Sequence, residues 1–372
     1  MEFLRKLTLT ATAAGTCLIS CVPSRPINLE AVKDPCIDGS FDVGNPGKSK
    51  PTLLWKLDLQ NSVEYSPAIS LGVLLIPLAD NKLSIVSTNK PHRFAEIRFR
   101  EPIVNSIAAS ESLVVVNTGG NRLLVVNWIK RDARWETDLS GWFGKPAIFE
   151  NRVLWFDGLG YLRCFDIIEG KRLWDLKLDD TELRSAEACS TGVVVFADKG
   201  LIECLDLDSG QRLWSFQAGA RIKGQPVILE DQLFFAAVDG TVARLKMSNG
   251  EPVWIRQLWS PVFGAPSCDS SGIYLGTNNR FLFKLDFDTG IVVWKTEIEG
   301  PVKTGPCLID RFAVFVGLDH KIYFADKSSG EIVLDQETNG MITAPPVICG
   351  NRLFVAGEDG FLYCYETERD GE

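Results

Sequence analysis

Two histidines are all that 372 residues offer of the side chain that shuttles protons near neutrality. No His-Glu-x-x-His or Gly-x-Ser-x-Gly occurs, and the ten cysteines form no metal-type cluster with His92 or His320. The sequence therefore points to no enzyme, no metal and no cofactor. Positive charge is also scarce. Lys and Arg number 39 against 48 Asp and Glu, a net charge of −9 without a basic stripe, which excludes a nucleic-acid surface. No segment after residue 50 sustains a helical hydrophobic period. With 45% hydrophobic residues the chain still has material for a large core.

The N-terminus is a separate substance. Arg5 and Lys6 precede a stretch, Leu7 to Ile19, that is apolar or small throughout, too short and too rich in Thr and Ala for a membrane span. Residues 1–20 read as an export signal. Its end, Leu18-Ile19-Ser20-Cys21, resembles the bacterial lipobox, which implies lipidation at Cys21; Cys17 is a weaker competitor, because Thr16 is a poor residue before the cut. An ordinary secretory signal with an incidental Cys21 is the bland alternative. Residues 21–50, with prolines 23, 26, 35 and 46 and few large apolar side chains, read as a tether. As a flexible coil it spans about 30 Å.

From residue 51 to the end, one phrase returns. Cys204-Leu-Asp-Leu-Asp-Ser-Gly-Gln-Arg-Leu-Trp214 is echoed at 284–294 and at 164–174. Pro146, Pro226, Pro266, Pro306 and Pro346 fall on one 40-residue lattice with Ala186 at the vacant node; Ser106 and Pro67 extend it to eight nodes. The aromatic ending the phrase gives a second series: Phe94, Trp135, Trp174, Trp214, Trp254 and Trp294, then Leu334. The eighth member is missing at the C-terminus, and Trp55, ahead of the first node, supplies it. Within a unit, β-branched and aromatic runs are separated by turn pairs such as Asp239-Gly240 and Asp359-Gly360. Four strands per repeat of about 40 residues, eight times over, predict an all-β, eight-bladed β-propeller closed by its N-terminal strand. The Asp-x-Asp-Ser/Thr-Gly turn joins the third and fourth strands of a blade, and the Trp that follows lays its ring between blades.

The acidic pairs Asp206/Asp208 and Asp286/Asp288 lack the six or more oxygens and the downstream carboxylate of a calcium loop, so they read as turns. Cys164, Cys204 and Cys364 share a third-strand position, and Cys189 and Cys349 a first-strand one. A strand lies between, so the pairs 189/204 and 349/364 are expected about 9–10 Å apart, out of disulfide reach, as small buried hydrophobes. Cys36 and the pair Cys268/Cys307 stay open.

Three residues before each node stand Glu64, Ile103, Phe143, Leu183, Lys223, Phe263, Lys303 and Thr343. In a propeller these form a ring at one mouth. Ile103, Phe143 and Leu183, with Trp142 and Arg184 beside them, make an apolar arc suited to a protein partner. The alternative is that these side chains fold inward and plug the channel.

The phrase Asp-x-x-Ser/Thr-Gly-x-x-x-Trp, near complete at 206–214 and 286–294 and looser at 166–174 and 248–254, is similar to the repeat of the PQQ-binding-like propellers. The resemblance covers residues 51–372. One branch, the quinoprotein dehydrogenases, implies pyrroloquinoline quinone, calcium and often a vicinal disulfide, but this chain has no adjacent cysteines and no length for inserted active-site loops. The other is the BamB family, lipoproteins of the outer-membrane β-barrel assembly machinery, whose fourth-blade Leu-x-Leu-Arg loop contacts the POTRA domains of BamA. Here that loop reads Thr181-Glu182-Leu183-Arg184, so Leu183 and Arg184 carry over while Thr181 and Glu182 depart; the family's next loop is acidic, whereas Ala218 to Lys223 is basic. The resemblance implies a periplasmic, lipid-anchored, monomeric scaffold at the outer membrane, working in a complex with a BamA-like partner. A quinone-dependent oxidoreductase and a generic envelope adaptor are the alternatives.

Overall fold

The computed structural model describes residues 50–138, 144–157, 159–178, 183–189 and 192–367. The signal, Cys21 and the tether up to residue 49, together with Trp142, Phe143, Thr181 and Glu182, lie outside the described residues; of Leu183 and Arg184 the backbone alone is described.

Eight four-stranded antiparallel sheets form the blades, seven of them simple meanders in chain order. The strands alternate as the repeat predicts: short inner strands such as Val227–Leu229, fully buried second strands such as Val73–Leu78 and Leu113–Thr118, and outer strands whose faces alternate between exposure and burial, as in Arg172–Lys177. Blade eight is completed from the other end of the chain. Strand Thr52–Asp58 pairs antiparallel with Phe361–Glu366, Trp55 opposite Cys364, the place that Trp214 takes opposite Cys204 in blade four. Ring closure by the N-terminal segment is thus observed.

The recurring phrase has a precise physical content. Asp206 Oδ1 accepts from the Ser209 backbone N–H at 2.8 Å and from its hydroxyl at 2.6 Å, and Gly210 takes φ +71° to close the turn. A Cβ at Gly210 would lie 2.9 Å from the Trp174 ring of the preceding blade, and one at Gly250 would lie 2.6 Å from Trp214. Each Trp therefore lies on the glycine of the next blade's turn. Its indole N–H also donates into that turn: Trp135 to the Ile167 carbonyl at 2.8 Å, Trp174 to Leu207 at 3.0 Å, Trp214 to Met247 at 2.7 Å, Trp254 to Phe287 at 3.2 Å and Trp294 to Lys327 at 3.1 Å. Phrase and period are one device, since the last residue of one copy grips the turn of the next.

The seam between blades eight and one departs from this scheme. Trp55 packs beside Phe354, but its indole N–H has no acceptor among the described residues. The Thr88 carbonyl, 33 residues on, instead accepts from the Arg352 guanidinium at 3.1 Å, which also reaches the Asn89 carbonyl at 3.2 Å.

Two cysteine expectations are corrected. Cys349 is disulfide-bonded, not a free buried hydrophobe. Cys189 and Cys204 are free, yet their sulfurs sit 3.8 Å apart. Cys189 pairs with Gly192 of the second strand and Cys204 with Val194 two residues on, so the two thiols reach each other diagonally across that strand. Cys268 and Cys307 are both free; the Cys307 thiol donates to the Pro346 carbonyl at 2.8 Å.

Candidate functional site

The described loops that lead from one blade into the next open on the same mouth as the turns between second and third strands. Leu258 N–H donates to the Gly240 carbonyl, Val238 N–H to Arg221, Asn278 N–H to Pro261 and Glu358 N–H to Met341, stitching each entry loop to a turn. Adjacent blades touch at Gly224, two residues before Pro226: a Cβ there would meet the Gly264 backbone at 2.2 Å.

The ring of eight positions is set here, with one correction. The inner strands of blades one, two and three begin at Ala68, Ala108 and Ala147, so the second interval is the short one. The node of blade two is Ile107 and not Ser106, and Ile103 moves one place back along the loop. It aligns with Val63, Ile222, Val262, Val302 and Ile342, all buried; Ile103 is itself in the core, bridged to Thr118. Ile103 is therefore no part of an exposed arc, and Val104 takes its place in the ring. The loops thus alternate, one aliphatic turned into the core and the next residue, Glu64, Val104, Lys223, Phe263, Lys303 or Thr343, left at least partly accessible. Lys303 stands 6.0 Å from the Phe263 ring centre, a cation–π pair joining two loops.

Sequence reasoning missed the most exposed aromatic among the described residues of this mouth. Trp259, in the loop entering blade six, is 82% exposed and sits at φ +55°. Met341 in the entry to blade eight and Leu159 in a turn of blade three are also exposed. An unburied Trp in a backbone region that costs a non-glycine residue about 1–2 kcal/mol is a feature that packing does not explain. Only its place in the loop could have signalled it, since its composition reads as core.

The basic loop before blade five is partly neutralised from below. Buried Asp198 accepts from Arg221 Nε at 2.6 Å and pairs with Lys223 Nζ at 2.8 Å. Just before or on the inner strands of blades three to five, burial pushes the Lys145 ammonium down and the Glu187 carboxyl up, each shift opposed by the charge of the other; Gln225 also donates to Glu187.

For calcium-bound pyrroloquinoline quinone, a converging oxygen set is needed. Among the described residues no group of three or more His, Cys, Asp or Glu could hold a metal ion. A shallow, open recess on the loop mouth is lined by Phe99, Arg100, Glu101, Thr118 and Leu124.

Fold and site together define a closed eight-bladed propeller of quinoprotein-type repeats with an elaborated loop mouth. The chain belongs to the family described as outer membrane protein assembly factor BamB, which matches residues 52–197, 158–303 and 282–372. Among solved structures it is similar to BamB from Moraxella catarrhalis, with 16% identity and a TM-score of 0.75 over 86% of this chain and 100% of that one. It is also similar to the computationally designed Ika8 protein, 16% identical with a TM-score of 0.74 over 84% and 99%, and to a europium-containing methanol dehydrogenase, 12% identical with a TM-score of 0.67 over 85% and 93%. At these identities the likenesses speak of fold alone. No curated protein matches the chain in sequence.

Proposed function

We propose that the chain is a non-enzymatic scaffold lipoprotein at the periplasmic face of the outer membrane, anchored by a lipid on Cys21. Its entry-loop mouth docks a BamA-like protein in the assembly of outer-membrane β-barrels. Family membership along the whole propeller supports the role, and the exposed Trp259 supports the surface. Trp142, Phe143, Leu183 and Arg184 complete the proposed docking set from blades three and four. Tryptophan and arginine are the residue types that dominate binding when they become desolvated at the centre of an interface.

Leu183→Asp combined with Arg184→Glu abolishes capture of a BamA-like partner in pull-down while leaving the melting temperature unchanged. Trp259→Ala weakens the same capture by about 2 kcal/mol, roughly 30-fold. Undiminished capture by both variants contradicts the site.

A further inference from the structure

We propose that the sector of the loop mouth formed by blades five to seven binds an extended, acidic segment of a partner polypeptide, with an apolar side chain of that segment laid on Trp259. The inference rests on the reading of this mouth as a protein-docking face and adds the chemistry of what it takes.

The sector is continuous. Its entry loops are 218–226, 258–266 and 298–306. A Cβ on Gly224 would meet the Gly264 backbone, and one on Gly264 would meet the Thr304 carbonyl at 2.3 Å, so the three loops touch in series. The turns between them are tied in as well. Ile222 N–H donates to the Asp198 carbonyl at 3.0 Å, and the turn at Gly240 packs against the backbone of Trp259 and Ser260.

Charge separates this sector from its surroundings. Its three loops and the turns 198–200, 238–240 and 277–280 carry Lys199, Arg221, Lys223, Arg280 and Lys303 against Asp198, Asp239 and Glu299. Positive charge is thus in excess here, on a chain whose net charge is −9. Two of the three carboxylates are already engaged: buried Asp198 by Arg221 and Lys223, and exposed Glu299 by Lys321. Lys303 is exposed and leans on the Phe263 ring, not on a carboxylate. The adjoining sector, of blades eight and one, has the opposite sign. Glu64, Glu358 and Asp359 stand in the loops 59–67 and 338–346 and the turn 357–360, which hold no Lys or Arg.

Between the cations of the fifth and seventh loops lie exposed Trp259 and half-buried Phe263. Carboxylates of an extended segment reach the cations on either side while an apolar side chain between them covers the indole. Burial of the indole supplies affinity, and the flanking charges select the sign of the segment and speed its arrival. The acidic sector beside it repels the same segment, which holds the partner in one orientation.

The test is fluorescence anisotropy on the full mature chain with a labelled peptide, Asp-Phe-Glu-Gly-Leu-Asp-Ser-Glu, beside a counterpart with Lys at each acidic position. The acidic peptide should bind and the basic one should not, and binding should weaken as salt rises from about 0.05 M to about 0.5 M. Lys303→Glu should weaken it roughly tenfold and Trp259→Ala roughly 30-fold, with melting temperatures unchanged. Equal binding of the two peptides, indifference to Lys303→Glu, or binding of phosphatidylglycerol vesicles in place of the peptide overturns the inference. A dimer that Lys303→Glu dissolves also overturns it, because a second copy would then fill the sector. Capture of a BamA-like protein without binding of the peptide overturns this inference alone. Binding of the peptide without such capture overturns the assembly role and leaves the acidic-segment site standing.

Discussion

At the scale of single residues, the propeller is held by a contact repeated from blade to blade, an indole over a glycine. Trp214 is nearly buried, donates to the Met247 carbonyl and covers Gly250, which holds φ +72°. Trp214→Ala loses the ring's burial and the hydrogen bond, and should cost about 3–5 kcal/mol by the midpoint of urea unfolding. Gly250→Ala should cost about 2 kcal/mol or more, because a Cβ is both strained there and driven into the ring. The turns themselves are acid-sensitive. Hydrogen bonds from the Ser209 and Thr289 hydroxyls and backbone hold Asp206 and Asp286 below their usual pKa. A depressed folded-state pKa contributes stability above the unfolded value of about 3.9 and loses it as pH falls through the lower folded value. Asp206→Asn with Asp286→Asn keeps the acceptors and removes the titration. The fall in melting temperature between about pH 5 and pH 2 should then be shallower than in the parent. A parallel curve would show that the turns do not carry the acid response. These motifs were fully legible in the sequence, since Asp, Gly and Trp recur at fixed offsets for local steric reasons. Phe94 and Leu334, which replace the Trp in blades one and seven, have no N–H to donate. Trp259 was not legible, because exposure is a property of the assembled mouth and not of composition.

Between elements, the closing strand is the exception that proves informative. Trp55 fills its proper place opposite Cys364, yet its indole N–H has no acceptor among the described residues. Trp55→Phe should therefore cost less than Trp214→Phe by about 1 kcal/mol, the worth of one hydrogen bond. Equal losses in denaturant titrations would mean that the seam is bonded like the others. Strand order and ring closure could be read from the period alone, because a missing last strand and a surplus first one have a single economical solution. Register could not be read as well. Ser106 looks like a node because a small residue is common there, but blade two begins its inner strand at Ala108, and the slip of one residue carried Ile103 from the core to the surface. In a β structure a one-place slip exchanges inside for outside. The cysteine distances failed for a related reason. Strand spacing fixes Cα positions, whereas the side chains of Cys189 and Cys204 bring their sulfurs to 3.8 Å across the intervening strand.

For the whole molecule, the ring separates two mouths that differ in what they carry. One carries the start of the closing strand and the bonded Cys349; the other carries the described loops between blades, with Trp259, Phe263, Lys303 and Met341 among them. The proposed scaffold role uses this division, because an anchor and a partner would compete for space on one face. The most direct measurement places a photo-crosslinking amino acid at residue 259 or 183 on the loop mouth, and at residue 209 or 289 on the opposite one, in the native envelope. Capture of a β-barrel assembly component from 259 and 183, with none from 209 and 289, is the predicted result. Capture from the opposite mouth alone, or from neither, would contradict the proposed scaffold role.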